Sequence, residues 1–164
     1  MMMEKFKFGK PSVLGIVTGM VAGLGTITPA SGFVGPGGAL VIGLCAGAVC
    51  FFATQYIKQV LKIDDSLDVF PVHGVGGILG TFFAGIFASA GLGAFSGQGY
   101  SEGMTMGSQL SVQLLGIVST VVYTALLTFI IVKVVTAITG FRVSEEDETS
   151  GLDLILHDER GYDL

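Results

Sequence analysis

The sequence predicts an all-α protein, a polytopic bundle of four transmembrane helices. Three observations carry that prediction. Of the 164 residues, 51% are hydrophobic and only 13% charged, where a soluble domain carries about a quarter charged residues. Apolar runs long enough to cross a bilayer recur four times, separated by short polar or Gly/Pro-rich stretches. Glycine reaches 26 residues, which together with high hydropathy suits membrane helices that pack closely. The net charge of −5 is uneven, its acids gathering at the C-terminus and just before His73.

The elements follow in order. Residues 1–11 form a short polar segment in which Lys5, Lys7 and Lys10 precede an apolar run. Basic residues before hydrophobic ones resemble the start of a signal peptide. The run that follows has glycines throughout and leads into further membrane segments, so a retained first helix over about 12–28 is expected. It is short for a hydrocarbon core of about 30 Å, and the Thr28-Pro29 pair ends it, because proline disfavours helix at the residue before it. A Gly/Pro loop, Ala30 to Gly38, leads to a second helix over about 39–60, whose polar end carries Lys58 and Lys62. The third spans about 66–90, with Ser66 or Asp68 able to cap its first exposed amides. A polar glycine-rich loop, Gly91 to Gly103, precedes the fourth over about 104–139, longer than a bilayer requires and so tilted or projecting. The transmembrane region is thus 12–140, and 141–164 is a polar tail.

Orientation comes from the basic residues. Lys5, Lys7, Lys10, Lys58, Lys62, Lys133 and Arg142 all fall on one side of four crossings, and the two alternate loops contain no Lys or Arg. The positive-inside rule makes that side cytoplasmic. Both termini are then expected in the cytoplasm of an integral membrane protein.

Glycines recur at four-residue spacing as Gly15-Gly19-Gly23, Gly43-Gly47 and Gly76-Gly80. Such faces let backbones approach, which replaces the hydrophobic effect that lipid cannot supply. Helix packing is the reading for most of them, while Gly74, Gly76 and Gly77 beside His73 could instead open a narrow conduit. Cys45 and Cys50, five apart, do not share a helix face and have no Cys/His cluster beside them; they read as small packing residues.

His73 is the informative residue. It follows three carboxylates, Asp64, Asp65 and Asp68, and lies inside an apolar membrane segment. A charged group there costs about 2.5–3.5 kcal/mol on insertion scales, so those that persist line a pathway or pair with a partner. The alternative is a core histidine hydrogen-bonded to a carbonyl. In the tail, apolar Leu152, Leu154, Ile155 and Leu156 interrupt an acidic run and suggest docking onto something, whereas His157 reads as an ordinary polar contact. No nucleophile–base set supports an enzyme; no metal-ligand spacing, organic cofactor or nucleic-acid partner is suggested.

Taken together, the residues resemble the C-terminal part of an ammonium transporter of the Amt/Mep/Rh family. The motifs run in family order: Gly9-Lys10-Pro11-Ser12, then Thr28-Pro29-Ala30-Ser31-Gly32-Phe33-Val34-Gly35, then Asp64 to Gly77, then Glu102-Gly103-Met104-Thr105-Met106-Gly107 with Gln109, and Phe141-Arg142-Val143 with Gly151-Leu152-Asp153 in the tail. The resemblance implies that the four segments correspond to the last four of eleven helices, in a homotrimer with one path for ammonium or ammonia through each subunit. It implies that His73 is the second of two pore histidines, the first belonging to an N-terminal half that this sequence does not contain. Thr28, Asp68, Gly74, Gly76 and Gly77 become candidate pore or helix-start support. Gly151, Leu152 and Asp153 become candidate residues of a regulatory tail, compatible with a PII-type nitrogen regulatory protein as partner. Ile155 stands where plant members carry a phosphorylated threonine, so that regulation is not expected. The expected function is ammonium transport as a C-terminal fragment; the alternative is a non-conducting remnant, or a regulatory or assembly partner of full-length transporters.

Overall fold

The computed structural model describes residues 2–160. Residue 1 and residues 161–164, the outer ends of the N-terminal segment and the tail, lie outside the described residues. Every regular element among those described is helical. Four of them are long and apolar enough to cross a membrane: Val13–Ala30, Pro36–Val60, Phe70–Phe87 and Met106–Thr139. The chain forms two compact units, residues 1–118 and 119–164.

The first unit opens with a short helix, α1 (Met2–Phe8), inside the polar N-terminal segment. Helix α2 (Val13–Ile27) starts at Ser12, whose hydroxyl oxygen accepts from the Gly15 amide, a side-chain N-cap. It tightens into a 3₁₀ turn, Thr28–Ala30, with Pro29 at the position where a missing N–H costs nothing. Helix α3 (Pro36–Gln55) begins three residues earlier than expected, because Pro36 presets the helical φ and takes the first turn. It runs on into a π-helical turn, Tyr56–Val60. A second π-helical turn, Phe70–Val75, opens directly into α4 (Gly76–Phe87).

The third membrane helix therefore starts at Phe70, not at Ser66 or Asp68. The Asp65 carboxylate takes the Val69 and Phe70 amides at 2.9 and 2.8 Å, so it is the cap. Asp68 adopts a left-handed backbone (φ +56°) just before the helix, and its carbonyl accepts the first bond of the turn from the Val72 amide at 3.0 Å. Asp68 as a side-chain cap is thus corrected to Asp65.

Each of the three helices buries one row at four-residue spacing. The rows are Ala22-Thr26-Ala30 on α2 and its 3₁₀ turn, Gly38-Ile42-Ala46-Cys50 on α3, and Val72-Gly76-Gly80-Ala84-Ala88 along the third helix. Residues four apart lie one above the other on a helix face, so each row is a continuous strip. Small residues dominate all three, and the helices approach closely. The strips meet in two tiers: Ala22, Cys50 and Val72 in one, and Ala30, Ile42 and Ala84 in the other, with Phe83 and Phe87 packed against the second.

Of the other expected glycine stripes, Gly15 meets the Glu4 side chain of α1, and the rest stand open. A methyl at Gly19, Gly23, Gly43 or Gly47 would touch nothing within 4 Å. Gly19, Gly43 and Gly47 border a cavity of about 560 Å³ between α2 and α3, to which Thr18, Cys50 and Asp68 also contribute.

After α4, the loop folds back over the helix ends. The Tyr100 hydroxyl donates to the Gly85 carbonyl at 2.7 Å, and the Gln98 amide to that of Phe33 at 3.0 Å. Helix α5 (Met106–Thr139) begins in this unit, where Leu110 and Gln113 flank Gly85. Its 34 residues extend about 51 Å at 1.5 Å per residue, and none of them is buried.

The second unit holds the rest of α5 and two short helices inside the expected tail, α6 (Glu145–Ser150) and α7 (Leu152–His157). Ser144 caps α6 by accepting from the Asp147 amide at 3.1 Å, while its own hydroxyl donates to the Asp147 carboxylate. Gly151 joins the two helices in a left-handed backbone conformation (φ +99°) that a side chain would strain.

Candidate functional site

His73 sits on the π-helical turn Phe70–Val75 and is exposed, although Pro71 and Val72 beside it are buried. A π turn holds i→i+5 bonds and is rare; single turns of this kind occur often at functional sites. Its origin is local. Pro71 contributes no amide to the first turn, Asp65 withdraws the two preceding amides, and the left-handed Asp68 offsets the backbone at entry.

The π turn aims His73 away from the packed strip. An α-helix advances about 100° per residue; a π turn winds more slowly. Counting back from Gly76, which is packed, His73 is therefore carried further round from the helix–helix contact than an α turn would carry it. On α2 it neighbours Gly25, where a methyl would stand 3.7 Å from His73 Nδ1. Sequence reasoning did not single out Gly25. The signal available was its place one turn before the Thr28-Pro29 break.

The expected support residues separate. Gly76 is a packing residue: a methyl there would lie 2.7 Å from Thr26 Oγ1 and 3.6 Å from Cys50 Sγ. Beside Gly74 the space is taken by the Phe70 ring, 3.0 Å from where its methyl would be. Gly77 alone of the three opens onto free space. The Thr28 hydroxyl donates back to the Leu24 carbonyl at 2.7 Å, one turn earlier in the chain.

Asp68 is turned toward the end of α3. Its Oδ1 lies 2.7 Å from Lys58 Nζ, with the aspartate side chain only 17% exposed. Among the described residues no hydrogen-bond donor is aligned on that oxygen, which leaves the lysine ammonium as its counter-charge. Asp68 also borders the α2–α3 cavity, whereas His73 does not.

At the chain's start, Glu4 accepts from the Ser12 hydroxyl at 2.6 Å and from its amide at 3.2 Å. These bonds hold the Glu4 carboxyl below its usual range. Lys7 donates to the Gln55 side-chain oxygen, and the Phe8 ring packs edge-on against Phe51 at 6.3 Å. In the second unit, Arg142 pairs with Glu148 at 3.3 Å. Gly151, Leu152 and Asp153 form the junction and first turn of α7, with Leu152, Leu154, Ile155 and Leu156 between 38% and 58% exposed.

What the chain can do chemically is narrow: one imidazole presented from a π turn of an apolar helix. Among the described residues no group of three or more His, Cys, Asp or Glu could hold a metal.

Comparison with known proteins bears on the family of the chain. The model of the Ammonium Transporter Family matches residues 1–162. An ammonium transporter of Aquifex aeolicus is 42% identical over 164 residues, covering 100% of this chain and 38% of the relative. Ammonium transporter Amt1 of Archaeoglobus fulgidus is 45% identical over 155 residues, covering 94% of this chain and 38% of the relative. Among solved structures, a Sensor Amt Protein superposes with a TM-score of 0.82 at 29% identity, over 95% of this chain and 37% of that one. The chain thus spans about two fifths of the length of the curated relatives it matches. Matched along nearly its whole length, this chain belongs to the ammonium transporter family.

Proposed function

We propose that the chain is the C-terminal part of an ammonium-conducting membrane protein and that His73 lines its path. The observation that carries the reading is the presentation of His73: a single imidazole on a π turn, aimed off the packed strip of an apolar helix. An ammonium ion stripped of water in hydrocarbon would cost far more than binding returns. A path that removes the proton, passes neutral ammonia and handles the proton at imidazole avoids that cost. Imidazole suits the step because it titrates near pH 6.5 and offers one accepting and one donating nitrogen.

In this reading the exposed side of His73 faces a second histidine from the N-terminal part of the assembled protein. That assembly is a homotrimer, both termini of this chain lie in the cytoplasm, and the α6–α7 tail docks on the cytoplasmic face, where a PII-type regulator would bind. The exposure of Leu152, Leu154 and Ile155 supports the docking.

A second reading rests on a separate observation, the share of the relatives' length that the chain spans. In it the chain conducts nothing and serves as a remnant, or as an assembly or regulatory partner of full-length transporters. Methylammonium uptake by cells whose own ammonium transporters are deleted separates the two. Saturable uptake on expressing this chain alone excludes the second reading. Uptake only when an N-terminal half is co-expressed supports the first in its assembled form, and none in either case supports the second.

A further inference from the structure

The connection between α3 and α4 is framed by two π turns, Tyr56–Val60 and Phe70–Val75. Such turns make up well under 1% of residues in ordinary domains, so two flanking one short link require a cause. The link carries a second peculiarity: Lys62 and Asp68 both hold left-handed backbones, at φ +53° and +56°. Lysine gains nothing there, and aspartate is among the few residues that tolerate it.

One contact bridges the two turns. Lys58 lies within the first, Asp68 stands just before the second, and their charges meet at 2.7 Å. The Lys58 side chain is 38% exposed and that of Asp68 17%, so the pair is partly withdrawn from solvent and less screened than a surface pair. Around it, the Leu61 amide reaches back to the Tyr56 carbonyl at 3.0 Å, the five-residue bond of the first turn, and the Ile63 amide closes its end on the Ile57 carbonyl at 3.1 Å. Asp65 holds the Val69 and Phe70 amides, and the Asp68 carbonyl holds that of Val72. Asp65 fixes where the helix begins. It does not fix how the first turn is rotated, because the left-handed residue lies between cap and turn.

We propose that Lys58 and Asp68 are a positioning pair for His73: the ion pair holds the Phe70–Val75 turn in its π form and thereby keeps the imidazole turned away from the helix–helix contact. The significance for transport rests on the reading above; the positioning does not. Neither residue needs to touch substrate. Without the pair, the strained Asp68 backbone is free to relax and the turn to rewind toward α geometry. With Gly76 to Ala88 fixed by packing, that rewinding swings His73 toward the buried strip and shields its ring.

The test is the rate of His73 modification by diethylpyrocarbonate in the chain reconstituted into liposomes, read by peptide mass spectrometry with His157 as internal reference. Lys58→Met and Asp68→Asn each remove one charge, and Asp68→Asn keeps a side chain that tolerates the left-handed backbone. Each is expected to slow His73 labelling by about threefold, the scale of coupling between contacting residues, and the double variant no further than either alone. Lys58→Arg, which keeps the charge, is expected to label at the parental rate. Parental labelling in both single variants, additive losses in the double, or faster labelling from an opened helix would each overturn the proposal. Methylammonium uptake measured on the same variants separates the two claims: slowed labelling in a chain that conducts nothing leaves the positioning intact and defeats only the transport reading.

Discussion

Thr26 on α2 lies so close to Gly76 on α4 that a methyl group on the glycine would stand 2.7 Å from the threonine hydroxyl oxygen. One turn further on, a methyl on Gly80 would press into the Thr26 carbonyl. Because the Thr26 carbonyl is backbone and its hydroxyl belongs to a fully buried side chain, neither has room to yield, and Gly76→Ala and Gly80→Ala are each expected to cost about 1–3 kcal/mol, as overpacking does in well-packed cores. Gly19→Ala and Gly43→Ala, which meet nothing within 4 Å, should stay within about 0.5 kcal/mol of the parent in this chain. Unfolding in mixed detergent micelles measures all four. Equal losses at all four positions would refute the division into packed and open strips.

The cap of the His73 helix is predicted to be Asp65. Losing two amide partners, Asp65→Ala should destabilise the chain by about 0.5–2 kcal/mol. Hydrogen exchange should accelerate at the Val69 and Phe70 amides, with the amides of α4 beyond Gly76 unchanged. Unaltered exchange at those two amides would remove Asp65 from the role.

The contact between Glu4 and Ser12 sets a pH dependence outside the membrane. A carboxyl whose folded pKa lies below its ordinary value, near 4.5, stabilises the folded form above that value and loses the contribution as pH falls through the lower, folded one. The Ser12 amide signal should therefore hold steady from neutral pH down to the ordinary glutamate range and shift only below it. Glu4→Gln should abolish that shift, and a shift that persists would assign it to another group.

In the second unit, Ser144→Ala removes the cap of a six-residue helix. The expected cost is about 0.5–2 kcal/mol, enough to unwind α6, because so short a helix has little else to hold it. Amide chemical shifts of 145–150 report the outcome, and helical shifts in the variant would contradict it.

The sequence showed plainly which segments are helices apolar enough to cross a membrane, because apolar runs act over whole segments. It did not show what each helix face meets. Gly19-Gly23 and Gly76-Gly80 share one spacing, yet only the second pair packs within this chain; periodicity identifies a face and is silent about its partner. The start of the third helix was misplaced because Asp65, Ser66 and Asp68 are all competent caps, and only the left-handed backbone at Asp68 separates them. Lys58 and Asp68 sit ten positions apart across a loop, too far for a local pattern to pair them. The short helices α1 and α6 lay inside charged stretches, although Ser144 with Asp147 three residues on was a legible capping signal. His73 drew notice in the sequence by its chemistry alone, since a titratable group in an apolar run stands out against its background. Its π turn and its neighbour Gly25 did not.

Methylammonium uptake by His73→Ala, set against the parent at equal membrane abundance in cells lacking their own ammonium transporters and supplied with an N-terminal half, tests the central claim most directly. A pore imidazole that handles the proton contributes little to packing, so the variant should reach the membrane and assemble as the parent does. Its uptake should fall by about two orders of magnitude, the lower range for losing a positioned acid–base group. Parental uptake by His73→Ala, or a loss of assembly that His73→Gln restores together with full uptake, would contradict the account and leave His73 a structural residue.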